Sequence, residues 1–172
     1  MKNITLIGMP GCGKSTIGVL LAKTLGTDFV DTDLLIQKRE EALLQQILDS
    51  RGLAAFLRVE ESAILSLSCT GAVIATGGSA VYSAAAMSYL LRESTMVYLK
   101  LPFSEIMSRL SNITTRGIAI PPGMTMADVY AERIPLYEKY AAVTLDCSGK
   151  TAEGTVAALL PLLAAAEKEA EQ

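Results

Sequence analysis

Short apolar and β-branched runs alternate along the chain with longer stretches of helical spacing. The runs Ile4–Ile7, Phe29–Asp31, Ala72–Thr76, Thr95–Leu101 and Val143–Asp146 are short and bounded by turn residues, which predicts strands covered on both faces. Between them, Lys14–Leu25, Leu34–Leu48, Ala54–Leu67, Ser83–Leu91, Ser104–Leu110 and Met126–Tyr140 repeat apolar residues at helical intervals. Thr151–Ala166 closes the series, with Pro161 expected to kink or interrupt it, and Ala164–Gln172 reads as a frayed helix end. Strand–helix alternation of this kind predicts an α/β fold: a parallel sheet, doubly wound by right-handed crossovers into three layers, in a single domain over residues 1–172. One stretch departs from the pattern. Ser111–Thr125 gathers Thr-Thr, Arg-Gly and Pro-Pro-Gly with little periodicity, and a loop of this length between confident elements is read as a lid.

Composition narrows the chemistry. The chain of 172 residues has no histidine, which removes Ser-His-Asp triads, Cys-His pairs and imidazole general bases. Acid–base work must then fall to Asp, Glu, Lys, Tyr or Cys. Cys12, Cys69 and Cys147 are too far apart to suggest a zinc site or a secreted disulfide framework, so a reducing, cytoplasmic setting is expected. A net charge of −3 without a basic patch argues against a nucleic-acid partner. The run Ile4–Ile7 is too short for a signal peptide and Val156–Ala166 too short for a membrane span, so no membrane partner is expected and the chain is read as a soluble monomer.

The strongest local signal is Gly8-Met9-Pro10-Gly11-Cys12-Gly13-Lys14-Ser15, a full G-x-x-x-x-G-K-[ST] between a predicted strand and a predicted helix. Its glycines allow successive N–H groups to turn inward at a helix N-terminus, a cradle for phosphate oxygens. Gly11, Cys12, Gly13, Lys14, Ser15 and Thr16 are therefore assigned to nucleotide phosphates, with Lys14 reaching the β/γ-phosphates and Ser15 ligating Mg²⁺. The Cys12 thiol is read either as redox-sensitive in this positive nest or simply as a small residue at a variable position. No N/T-K-x-D is present for guanine, and Asp49-Ser50-Arg51-Gly52 follows a helical pattern instead of a strand, so a GTPase is disfavoured and a small kinase remains.

Phe29-Val30-Asp31-Thr32-Asp33 ends the second strand with two carboxylates beside the phosphate loop. Asp31 suits the magnesium shell, while Asp33 suits orienting and deprotonating an acceptor hydroxyl; the plainer alternative makes Asp33 an N-cap. Thr76-Gly77-Gly78-Ser79 ends the third strand with glycines that let a ligand approach the backbone.

Taken in order and spacing, GMPGCGKSTIG (8–18), DTD (31–33), TGGSAV (76–81), Arg116 and ERIPLYEKYA (132–141) resemble the shikimate kinases, P-loop small-molecule kinases with a nucleoside-monophosphate-kinase-like fold. The resemblance implies a five-stranded sheet in 2-3-1-4-5 order and transfer of the ATP γ-phosphate, with Mg²⁺, to the shikimate 3-hydroxyl. It further implies acceptor-binding helices over about residues 33–68 and a lid at about 111–125. Asp33 would contact the acceptor hydroxyls, the Gly77–Gly78 backbone the acceptor, and Arg133 its carboxylate. Arg116 would contact ATP phosphates, with Arg109 and Ser148–Ala152 near the adenine.

Four positions depart from the family pattern. In Gly52-Leu53-Ala54-Ala55-Phe56-Leu57-Arg58-Val59-Glu60, leucines stand at 53 and 57 where the family carries a glutamate and a carboxylate-binding arginine. Ser79 replaces the third glycine of a triplet, and Gly117 replaces a proline after the lid arginine. The paired leucines predict a more apolar acceptor pocket, with Arg58 or Arg51 as candidates to replace the missing arginine. Shikimate is the expected acceptor and a different small hydroxylated metabolite the alternative. A non-catalytic nucleotide-binding module fits less well, because Lys14, Ser15, Asp31 and Asp33 are all present.

Overall fold

Five strands form one parallel sheet in the order β2-β3-β1-β4-β5 in the computed structural model, which describes residues 2–110 and 117–170. They are β1 (Asn3–Ile7), β2 (Phe29–Asp31), β3 (Val73–Ala75), β4 (Ser94–Lys100) and β5 (Val143–Asp146), each within a residue or so of its predicted span. All residues of β1 are buried, as a central strand covered on both faces requires. The covering helices are α1 (Lys14–Leu25), α2 (Thr32–Glu40), α3 (Leu44–Leu65), α4 (Ala84–Glu93), α5 (Phe103–Leu110), α6 (Met126–Tyr140) and α7 (Ala152–Ala170). β1 pairs with β3 on one side and β4 on the other, so the chain crosses over β1 between them and opens a crevice beyond the strands' C-terminal ends.

The predicted helix Leu34–Leu48 is divided. Glu41 takes a left-handed conformation (φ 50°) that ends α2, and α3 restarts at Leu44 after the Leu43 N–H donates to Gln46 Oε1 at 2.9 Å. Nothing in the local sequence marks this break, because no glycine or proline stands there. α3 is broken again at Gly52 (φ 77°), within the interval left between Leu48 and Ala54. These breaks fold α2 and both halves of α3 around a second apolar cluster of Ile36, Leu44, Ile47, Phe56 and Ala63, separate from the main core against the sheet. Ala119, from the segment after the described gap, packs into the same cluster.

Pro161 does not interrupt the last helix, and the expected fray is ordered as far as Ala170. Pro161 and Ala157, whose carbonyl loses its i+4 partner, are both exposed, so water can serve that carbonyl. Among the described residues no helix is long and apolar enough to cross a membrane, and the three cysteines are free.

Candidate active site

The turn after β1 leads directly into α1, whose N-cap is Gly13 at φ 100° with no side-chain cap. At three other helix starts side chains serve as caps: Asp31 on α2, Ser83 on α4, and Thr125 with Asp128 in a capping box on α6. The first N–H groups of α1 are thus left for an anion. Lys14 Nζ folds back over this turn, donating to the carbonyls of Gly8 at 2.8 Å and Met9 at 2.9 Å. Cys12 is fully buried, its Sγ 3.8 Å from Lys14 Nζ, and packs beneath the turn, which accords with a small buried residue.

Ser15 Oγ donates to Asp31 Oδ2 at 2.6 Å, while Asp31 Oδ1 accepts the Asp33 N–H at 2.9 Å. Asp31, not Asp33, is therefore the N-cap of α2, and the geometry separates the two carboxylates. One is fixed against the hydroxyl of the phosphate loop. The other lines a cavity between α1, α3 and the turn after β3. This cavity also exposes Lys14, Glu60, Gly77, Gly78, Ser79 and Arg133. Gly77 is placed by its N–H donating to Thr32 Oγ1 at 3.2 Å, and the Gly78 carbonyl by accepting from Tyr137 OH at 2.6 Å.

Arg133 is fully buried on α6. Its Nη2 donates to the Ala119 carbonyl, its Nε donates to Tyr82 OH at 3.2 Å, and its guanidinium lies 5.0 Å from the Tyr82 ring centre. Among the described residues it forms no ion pair. A buried guanidinium without a carboxylate partner is costly, and an anionic ligand in the same cavity would relieve that cost.

Glu60 is the site residue that helical spacing alone does not reveal. It is 2% exposed on α3, one turn beyond Phe56, and a carboxylate on this otherwise apolar face is the signal that marks it. Its Oε2 accepts from Ser79 Oγ at 2.7 Å, whereas Oε1 is buried without a hydrogen-bond partner among the described residues. Burial pushes the Glu60 carboxyl up to about 7; the Ser79 hydroxyl opposes the rise, the nearby Asp33 adds to it, and Arg133 and Lys14 draw it down. A Cβ on Gly77 would lie 2.1 Å from Glu60 Oε1 and 3.0 Å from Asp33 Oδ1, so both carboxylates converge on a backbone that has no room for a side chain.

The predicted nucleotide-base residues also meet. Arg109, Lys150 and Ala152 line a second cavity with Cys12, Gly13 and Thr16 of the phosphate loop. Arg116 and the first part of the predicted lid lie outside the described residues. Gly117, which follows, packs onto the start of α3: a Cβ there would sit 2.7 Å from the Gln45 nitrogen, so this departure has a steric reason.

The paired leucines do not line the main cavity. Leu53 and Leu57 pack against the second apolar cluster, and Leu57 with Arg58 borders a neighbouring cavity that shares Glu60 and Ser79 as its wall. Arg51 is engaged with Glu40 on the surface.

The shikimate kinase family profile matches residues 10–164. A shikimate kinase of Thermodesulfovibrio yellowstonii is 36% identical over 156 residues, covering 89% of this chain and 90% of that protein. One of Thiobacillus denitrificans is 34% identical over 155 residues, covering 88% and 85%. Among solved structures, shikimate kinase from Acinetobacter baumannii in complex with shikimate superposes with a TM-score of 0.89 at 28% identity, covering 96% of this chain and 94% of that one. A sheet order, a phosphate loop and a profile spanning most of the chain agree: this protein belongs to the shikimate kinase family and is an ATP-dependent small-molecule kinase.

Proposed function

We propose that the enzyme transfers the ATP γ-phosphate to a ring hydroxyl of shikimate, holding the acceptor's carboxylate on Arg133 and its hydroxyls between Asp33, Glu60 and the Gly77–Gly78 backbone. The observation that carries this reading is the buried guanidinium of Arg133, without an ion pair among the described residues, in the same cavity as Asp33 and Lys14. Anion recognition and phosphate chemistry are thereby brought within one enclosure. The shikimate-bound relative of high structural similarity supports the choice of acceptor.

In this mechanism Asp33 orients the acceptor hydroxyl and takes its proton as the new O–P bond forms and the bond from γ-phosphorus to the β-phosphate oxygen breaks, releasing ADP. The backbone of Gly11 to Thr16 cradles the phosphates, and Lys14 exchanges its contacts with the Gly8 and Met9 carbonyls for β/γ-phosphate oxygens. The hydroxyl of Ser15 and the carboxylate of Asp31 offer hard oxygen donors side by side, which fits Mg²⁺, an ion that keeps several waters and phosphate oxygens in its shell. When bound, that ion neutralises charge on the β- and γ-phosphate oxygens. Arg116 would add positive charge from the lid, and Arg109 with the 148–152 loop would receive the adenine.

A second reading is favoured by Leu57. Lacking the charge that the family places there, the site would hold a carboxylate less firmly and would suit a hydroxylated acceptor without one. ADP release measured against a panel of acceptors tests both readings. Saturable, shikimate-dependent release supports the first. Preference for a neutral polyol supports the second, and release that is absent or independent of every acceptor overturns both.

A further inference from the structure

Ser79 stands where the family pattern has a third glycine, and its side chain is not idle. It is 5% exposed, and its hydroxyl is the hydrogen-bond donor to Glu60 Oε2, at 2.7 Å. The other oxygen, Oε1, has no hydrogen-bond partner among the described residues and lies close to Gly77, on the same side as Asp33 Oδ1. A carboxylate with neither oxygen held could turn about its last torsion and aim either oxygen at the cavity wall. With Oε2 held by Ser79, only Oε1 is available to a ligand.

We propose that Ser79 is a positioning residue for acceptor recognition: its hydroxyl holds Glu60 Oε2 and so commits Oε1 to an acceptor hydroxyl adjacent to the one oriented by Asp33. The inference rests on reading this cavity as the acceptor site. The groups facing Glu60 come from separate elements: Asp33 from α2, Lys14 from α1, Arg133 from α6, and Ser79 from the turn after β3. Of these, Ser79 alone makes a direct side-chain hydrogen bond to Glu60 among the described residues. Because that bond favours the ionised carboxyl, its loss moves the ionisation of Glu60 to higher pH. Ser79 also borders the neighbouring cavity of about 130 Å³, which gives a threonine methyl room at this position.

The test compares the whole enzyme with Ser79→Ala and Ser79→Thr, using shikimate and MgATP. Ser79→Ala is expected to raise the shikimate KM about tenfold near pH 7 while leaving the MgATP KM unchanged, since a hydrogen bond to a charged group is lost on the acceptor side only. The share of the defect that comes from the higher ionisation pH of Glu60 shrinks in alkaline buffer, while the share that comes from lost orientation remains. Ser79→Thr restores the wild-type KM because it restores the hydroxyl. Equal shikimate KM values for all three proteins overturn the proposal, as does a Ser79→Ala defect that threonine does not repair. Should the wild-type enzyme not use shikimate, the functional reading fails separately, and carboxyl-¹³C NMR of the ligand-free protein still decides the positioning role. A Glu60 titration midpoint raised in Ser79→Ala upholds it, and an unchanged midpoint overturns it.

Discussion

The two ends of the cavity were built by different means. On the proposed phosphate side, one continuous segment supplies most of the described residues: Gly11 to Thr16 follow each other in the chain, and Asp31 joins from a distance through Ser15 Oγ. On the acceptor side, Asp33, Glu60, Ser79 and Arg133 come from four separate places along the chain and meet only through packing. The phosphate end depends on local backbone conformation, which glycines permit wherever they occur. The proposed acceptor end gathers two helix breaks, a bare glycine and a buried arginine, which meet only in the folded chain. A local motif is carried by neighbouring residues, whereas a converged site depends on residues far apart in the chain.

The largest effect expected from testing this contrast is at Lys14. Lys14→Ala should lower kcat by roughly a hundredfold or more with little loss of stability, because the ammonium acts on charge moving during transfer; near-normal turnover in a steady-state assay would remove it from the mechanism. Asp33→Asn should come next. It is expected to lower acceptor phosphorylation on the order of a hundredfold, while calorimetry still records MgATP binding of wild-type strength. Loss of nucleotide binding instead would mean that the two carboxylates are not divided between the two ends.

Glu60 separates the ends in a third way, through stability. Its carboxyl is raised to about 7 from an ordinary 4.5, so the folded state binds more protons than the unfolded state between those values. Its contribution is therefore complete below 4.5 and is lost as pH rises through 7. That loss is on the order of 3 kcal/mol above neutrality. Glu60→Gln should melt at a higher temperature than wild type in mildly alkaline buffer, with the advantage disappearing toward pH 4.5, and should use the acceptor poorly. A melting difference that does not vary with pH would contradict a buried, strained carboxylate. The smallest effect is expected at Leu57: Leu57→Arg should lower the shikimate KM by roughly threefold to tenfold. No change would mean that the carboxylate is held without a charge at this position.

Much of the fold was legible beforehand. Continuous apolar runs such as Ile4–Ile7 report burial on both faces regardless of their partners, and Lys14–Leu25 and Met126–Tyr140 match α1 and α6 end to end. The misreadings had non-local causes. The turn at Glu41 is a non-glycine residue held in a left-handed conformation by the packing of α2 on α3, so no residue type announces it. Pro161 leaves α7 unbroken because the Ala157 carbonyl that it leaves unpaired lies on the exposed side of the helix, which a one-dimensional pattern does not encode. Leu53 and Leu57 were expected to make the acceptor cavity apolar, yet they pack toward the second apolar cluster, and the cavity wall remains Glu60, Ser79 and Arg133.

By itself, the sequence determined the α/β alternation and the phosphate-loop motif, and it marked Lys14, Ser15, Asp31 and Asp33 as candidates, because each follows from local conformation or from a motif of fixed spacing. Arg133 was marked by the family resemblance. The tertiary structure alone decided that Glu60 turns one oxygen to Ser79 and the other toward Gly77, that Arg133 is buried without an ion pair among the described residues, and that Gly117 lies against α3. The physical reason is range. Backbone torsions and amphipathic periods are set within a few residues, while desolvation and the pairing of buried charge depend on whatever the fold brings within a few ångströms.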